Sequence, residues 1–141
     1  MDKQKQGKNN RAAGKRFELK VRYDLESKGW IVFRNSMDIK DNQFKQTTGH
    51  WNPYTKSIMM NSSGFPDFVC ARLVPKERIP RLIQYPTWHV KFVECKGGDA
   101  NHKYLTKEEK EKVEWIKDKL KIPVFVANKG IKRGEIVYIE Q

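Results

Sequence analysis

The chain has 141 residues and a mass of 16.7 kDa, so a single domain with one buried core is the expectation. Its 29 Lys and Arg against 17 Asp and Glu give a formal net charge of +12 and a pI near 9.7, which favours a polyanionic partner such as nucleic acid over plain solvation. No apolar run reaches bilayer length and no signal-peptide pattern opens the chain. Its two cysteines, Cys70 and Cys95, are too few for a disulfide scaffold and lack metal-ligand spacing, so a soluble intracellular protein with buried free thiols is expected.

Residues 1–10 are polar and basic without apolar periodicity and read as a flexible arm preceding a single domain over 11–141. Lys3, Lys5, Lys8 and Arg11 are candidate phosphate contacts there, with an idle tail as the alternative. The spacing of Ala13, Phe17, Val21 and Leu25 predicts a helix from about Arg11 to Lys28. Asn9 or Asn10 is placed to cap it and Gly29 to end it. Glu18 falls at the edge of that apolar stripe, within reach of Arg22 for a surface ion pair. Trp30–Phe33 reads as a strand.

Periodicity then disappears over an insertion at about 36–63, long for a compact domain. Lys40, Lys45 and Lys56 are interleaved there with Phe44, His50, Trp51 and Tyr54. Two readings stand: a loop that touches a DNA backbone or stacks on bases, or a partly ordered insertion with a hairpin around Asn52-Pro53. Asp67–Leu73 is a nearly continuous apolar strand. A second insertion at about 74–87 carries Pro75, Pro80 and Pro86 and reads as a loop, with Lys76, Arg78 and Arg81 as further phosphate contacts. Trp88–Lys96 is the central strand, and Gly97-Gly98-Asp99 turns the chain away. Thr106-x-x-Glu109 is a capping box opening a helix with Val113, Ile116 and Leu120 on one face. Strands at Pro123–Ala127 and Glu135–Ile139 close the chain. The predicted order is α-β-β-β-α-β-β, a mixed sheet flanked by helices in an α/β fold.

Two stretches carry chemistry. Gly64-Phe65-Pro66-Asp67 places a carboxylate at the start of one strand, and Glu94-Cys95-Lys96 places a carboxylate and an ammonium two residues apart on another. Residues i and i+2 of a strand share a face, so Glu94 and Lys96 project together and Cys95 points away. If the strands are neighbours, Asp67 and Glu94 can share a divalent cation beside Lys96. That set suits attack of water on a phosphodiester. Taken alone, Pro-Asp is commonly a turn and Glu-x-Lys a solvent-facing pair.

In order and flanking elements, Gly-x-Pro-Asp followed by Glu-x-Lys at the end of an apolar strand resembles the PD-(D/E)xK nuclease superfamily. With Phe17-Glu18 and the Lys28-Gly29-Trp30 exit of the first helix, the chain most resembles the archaeal Holliday-junction resolvase family. The resemblance implies a restriction-endonuclease-like fold and an Mg²⁺-dependent endonuclease acting on branched DNA in recombination and repair, with Mn²⁺ able to substitute. It implies Asp67, Glu94 and the Cys95 backbone carbonyl as metal ligands. Lys96 would orient water and offset phosphate charge, and Glu18 would complete a second metal or water site. A homodimer would match the two cuts a four-way junction needs. The insertions depart from that family's compact pattern. They leave open a virus-type replication-repair nuclease acting on flaps, nicks or single strands, or a non-catalytic DNA-binding protein of the same fold. His50, His89 and His102 lack zinc spacing, and Ser36, Ser62 and Ser63 are not aligned to a family serine.

Overall fold

The computed structural model describes residues 2–60, 64–98 and 104–141. Ser62, Ser63, Asp99 and His102 lie outside them. In chain order the elements are α1 (Lys3–Ser27), β1 (Ile31–Arg34), β2 (Met37–Lys40), β3 (Gln43–Gln46), β4 (Gly49–Asn52), β5 (Ser57–Met60), β6 (Phe68–Leu73), β7 (Trp88–Lys96), α2 (Lys107–Lys119), β8 (Val124–Lys129) and β9 (Ile136–Glu140). A mixed five-stranded sheet in the order β1-β6-β7-β8-β9 forms the centre. The β7–β8 pair is parallel and the others are antiparallel. A parallel neighbour requires a crossover, and α2 occupies it.

Alternation along β7 assigns its two faces. Val93 and Cys95 pack with Phe17, Val21 and Leu25 of α1, whereas Phe92 packs with Val113 and Ile116 of α2. Both faces of the central strands are covered, which is why β6 reads as an almost unbroken apolar run. Glu94 and Lys96 keep step with Phe92 and so belong to the α2 face. No helix among the described residues is long and apolar enough to cross a membrane.

The first helix starts earlier than its apolar stripe predicts. It begins at Lys3, where the Asp2 side chain accepts a hydrogen bond from the Gln4 N–H at 3.1 Å, so Asp2 rather than Asn9 or Asn10 is the cap. The stretch expected to be a flexible arm is therefore helical from Lys3 onward. Residues 2–16 are exposed except for half-buried Ala12, so this part packs on nothing and has no reason to show an apolar stripe. Its helicity rests on the propensity of Lys, Gln, Arg and Ala. Ala13 continues the four-residue spacing but is exposed, because burial begins only at Phe17. Gly29 ends the helix as predicted, at φ +85°, with its N–H donating to the Glu26 carbonyl at 3.0 Å.

The 36–63 insertion is not patternless. It holds two hairpins, β2–β3 and β4–β5, each its own two-stranded sheet. Asp41 and Asn42 both take positive φ, +53° and +55°, the two-residue turn that Asp and Asn tolerate best after glycine. The second hairpin turns through Asn52-Pro53, as one of the two readings of the insertion has it. Four-residue strands are too short to display a period of two, which hid them. The first hairpin docks on the α2 face. Ile39 is buried there, and the Phe44 ring lies 6.2 Å from Phe92 and 6.4 Å from Trp115. Lys112 of α2 meets Asp38 at 3.0 Å. The proline-bearing connection before β7 has one 3-10 turn, Lys76–Arg78, and no strand.

Asn35 fixes the loop that delivers Asp67. Only 4% exposed, it donates from Nδ2 to the carbonyls of Pro66 (2.8 Å) and Met37 (3.0 Å) and accepts the Met37 N–H at 3.0 Å. Its own backbone N–H donates to the Asp67 carbonyl and its carbonyl accepts from Gly64, each at 2.9 Å. A Cβ on Gly64 would sit 2.1 Å from the Met37 carbonyl oxygen, so the close approach requires glycine. Replacing Asn35 with alanine strands buried carbonyls and is expected to cost about 2 kcal/mol of stability, measurable by urea unfolding, with an unchanged slope.

Candidate active site

Register brings the two carboxylates together. Phe68 lies opposite Val93, so Asp67, just before β6, faces Glu94 near the end of β7. The Asp67 N–H donates to Glu94 Oε2 at 3.1 Å, and the Cys95 N–H donates to Asp67 Oδ2 at 2.7 Å. Each strand thus holds the other's carboxylate. Asp67 is 8% and Glu94 7% exposed. Lys96 projects with Glu94 as the alternation required, its Nζ 3.4 Å from Glu94 Oε1.

The sequence marks Glu109 only as a helix cap, and it does more. Its Oε1 accepts the Thr106 N–H at 2.9 Å while Thr106 Oγ1 accepts the Glu109 N–H at 3.2 Å, closing the capping box. Its Oε2 lies 2.6 Å from Lys96 Nζ. One carboxylate therefore starts α2 and holds the lysine ammonium. The capping box is legible in the chain; the second contact depends on how α2 folds back beside β7, which sequence spacing does not contain.

Burial pushes the carboxyl of Glu94 well above its ordinary range, and the neighbouring Asp67 charge pushes it further. Asp67 is also raised by burial, against the hydrogen bonds from Cys95 and Glu94 and the charge of Lys96. Burial alone would lower Lys96, but the bond to Glu109 and the proximity of Glu94 win and hold it above the ordinary lysine value. It is an ammonium at neutral pH, which makes it a positive charge rather than a proton acceptor in this arrangement.

Glu18 is half-buried on α1. Burial and then the Asp67 charge raise its carboxyl, while Arg34 at the end of β1 and Lys15 one turn earlier on α1 pull it down. The sequence-predicted pair with Arg22 does not form: Arg22 instead bonds Glu26 at 3.0 Å and the Val32 carbonyl at 3.2 Å. Cys95 has its thiol raised by burial and by Asp67, Glu94 and Glu18, so it stays neutral. Cys70, buried in the core, is raised to about 11 by burial. Both are free thiols.

Among the described residues, no group of three or more His, Cys, Asp or Glu side chains is arranged to hold a metal ion. The donors brought together are the two carboxylates on adjacent strands, Asp67 and Glu94, and the Cys95 backbone between Glu94 and Lys96, while Glu18 on α1 feels the Asp67 charge without joining them. All are hard oxygen donors, as Mg²⁺ prefers, and a divalent cation would offset the burial that raises both carboxyls and the Asp67 charge that further raises Glu94.

The predicted DNA contacts scatter. Lys3, Lys5, Lys8 and Arg11 are exposed on the unpacked part of α1. Lys40, Lys45, Trp51 and Lys56 are exposed on the two hairpins, with Lys45 3.5 Å from Asp41. Lys76, Arg78 and Arg81 lie in the β6–β7 connection, at the far end of those strands from Asp67 and Glu94, about 20 Å away at 3.3 Å per residue. Lys15 and Arg34, which face Glu18, carry no signal in the sequence. His89 is on β7 and exposed.

In comparisons with known proteins, no family model, no curated protein and no solved structure matches the chain.

A carboxyl raised in the folded state retains its proton where the unfolded chain has lost it. Its contribution is therefore greatest below the ordinary value of 4.5 and falls as pH rises through the folded value. Glu94→Gln keeps an acceptor for the Asp67 N–H but has no charge to bury. In EDTA, its melting temperature relative to wild type should rise from about pH 5 to about pH 8, as followed by circular dichroism. A difference that is flat over this range would contradict the buried-carboxylate account.

Proposed function

We propose that this protein is a metal-dependent DNA endonuclease of the PD-(D/E)xK type with a restriction-endonuclease-like fold, most like the archaeal Holliday-junction resolvases. The observation that carries the reading is the convergence of Asp67, Glu94 and a cationic Lys96 at one end of β6 and β7, with Glu18 electrostatically coupled to Asp67 from α1. Sequence order and spatial order agree: the motif residues meet although 27 residues separate Asp67 from Glu94. The net charge of +12 supports a nucleic-acid substrate.

In the proposed reaction a phosphodiester lies against this end of the sheet, and water attacks phosphorus as the bridging P–O bond breaks. Asp67, Glu94 and the Cys95 carbonyl would hold Mg²⁺, with Mn²⁺ as a substitute, and Glu18 would hold a second ion or a water. The ion supplies charge neutralisation for the phosphate and acidifies water. Lys96 keeps an ammonium beside the reacting phosphate, where it orients water and stabilises negative charge that grows on the phosphoryl oxygens. Glu109 fixes that ammonium through its 2.6 Å contact. A symmetric homodimer would place two such sites for paired nicks on a four-way junction.

A second substrate reading has its own support. On the β4–β5 hairpin Trp51 is 60% and Tyr54 95% exposed, aromatic surface suited to stacking on unpaired bases. This favours flaps, nicks or single strands, as for the virus-type replication-repair nucleases.

The test is cleavage of end-labelled four-way junction, flap, single-strand and linear duplex DNA with Mg²⁺ or EDTA. Paired symmetric nicks on the junction, abolished by EDTA and cut at least about a hundredfold by Asp67→Ala or Glu94→Ala, are expected. Metal-dependent cutting confined to flaps or single strands would move the substrate to the second reading. Binding without cleavage in Mg²⁺ or Mn²⁺ would leave a DNA-binding module. Within an active enzyme, Glu109→Gln preserves the cap acceptor and removes the charge that holds Lys96. It should lower kcat about 10- to 100-fold with little change in KM, whereas Thr106→Ala, which weakens the cap alone, should not.

A further inference from the structure

We infer that the cleft between α1 and the β8–β9 turn seats the phosphate backbone of a DNA strand beside the candidate active site, which rests on the nucleic-acid part of the proposed function. The cleft measures about 250 Å³ and is walled by Phe17 and Lys20 of α1 on one side and by residues 129–136 on the other. Four cations open onto it: Lys20, Lys129, Lys132 and Arg133. All four are exposed, and among the described residues no salt bridge engages them. The one carboxylate in the lining, Glu135, is turned to the backbone, where its Oε2 accepts the Lys132 N–H at 3.2 Å.

The turn is tied before any ligand arrives. The Gly130 N–H donates to the Glu135 carbonyl at 2.8 Å and the Glu135 N–H to the Lys132 carbonyl at 3.1 Å, with Gly134 at φ +83° absorbing the reversal. The backbone of such a frame loses little freedom on binding, which leaves only the side chains to be ordered. The cleft is below the range of pockets for drug-sized organic ligands, yet suits a phosphodiester met by several point charges.

Position links it to the chemistry. Lys96 is the register partner of Asn128, and Lys129 is the next residue. Phe17 forms the other link: it lines the cleft and abuts Gly97, where a Cβ would lie 2.5 Å from the ring. Cleft and carboxylate pair thus share the carboxyl end of the parallel strands β7 and β8, the usual place for ligands on open α/β sheets. A strand bound here would run past the end of the sheet that carries Asp67 and Glu94. None of the four cations stands out in the sequence, because only the fold draws Lys20 and the β8–β9 turn to one place.

The experiment compares two triple variants of equal charge change in the full-length chain. Lys129→Gln/Lys132→Gln/Arg133→Gln alters the cleft, and Lys76→Gln/Arg78→Gln/Arg81→Gln alters the connection at the opposite end of β6 and β7, the rival phosphate contacts that the sequence suggests, so the comparison decides between the two places. Fluorescence anisotropy with labelled junction and duplex DNA, in EDTA across a salt series, reads affinity without cleavage. The cleft triple is expected to weaken binding about tenfold or more and to reduce the salt slope by about three, at roughly 0.9 for each phosphate no longer neutralised. The distal triple should change affinity less than about threefold. Equal weakening by both triples, an unchanged slope for the cleft triple, or absence of DNA binding by wild type would overturn the inference. If the cleft triple melts early, Lys20→Gln on the opposite wall carries the same comparison, with Lys76→Gln as its control. Cleavage with Mg²⁺ is scored separately. A wild type that binds with this pattern and never cuts refutes the nuclease reading and leaves the cleft standing. A wild type that cuts while the two triples bind alike does the reverse.

Discussion

Two carboxylates held side by side away from water at the end of a strand pair govern the rest of this molecule. Asp67 and Glu94 have lost most of their hydration, which drives both toward the neutral form, and the Asp67 charge pushes Glu94 further the same way. The fold answers with donors: the Asp67 N–H for Glu94, the Cys95 N–H for Asp67, and the Lys96 ammonium beside both. These are fixed groups of the scaffold, so the pair cannot rotate away to solvent as a surface pair would. Such an arrangement is poorly explained as a stability device, since an apolar pair would fill the same place without the desolvation cost. It suits the divalent cation of the proposed reading.

The surroundings follow from that constraint. Asn35 and Gly64 exist in their present form because the loop before β6 must pass close to Met37 to aim Asp67 at Glu94. Glu109 compensates the lysine from the α2 side, and Arg34 and Lys15 compensate Glu18 from the α1 side. Charge therefore alternates outward: anionic carboxylates at the centre, cations next to them, and further cations on the rim formed by α1 and the β8–β9 turn. On the proposed reading, a polyanion approaching this end would meet the basic rim first, and Asp67 and Glu94 would hold the divalent cation behind it.

Much of this is readable in the chain, for identifiable reasons. The central strands are buried on both faces, so β6 and β7 stand out as apolar runs, and Trp88–Lys96 matches its predicted bounds. The i, i+2 relation of Glu94 and Lys96 is a property of any strand. Gly29 and the Thr106 capping box mark helix ends through local backbone chemistry. What is hidden depends on other things. The hairpins of 37–60 have strands too short to repeat, although Asp41-Asn42 offers a turn signal. The outer half of α1 has no apolar stripe because it meets no partner. Asn35, Glu109 and the β8–β9 cations gain their roles only from residues far away in sequence, which no spacing rule connects.

Glu109 also ties together two motions that would otherwise be separate. The first turn of a helix is where fraying begins, and here the same carboxylate closes that turn and steadies Lys96. Any opening of the Thr106–Lys110 turn must loosen the ammonium, and any pull on Lys96 by an arriving phosphate must be felt at the helix start. Local unfolding free energy and lysine placement are then two readings of one equilibrium, so a ligand that recruits Lys96 alters the exchange of backbone amides a full turn into α2.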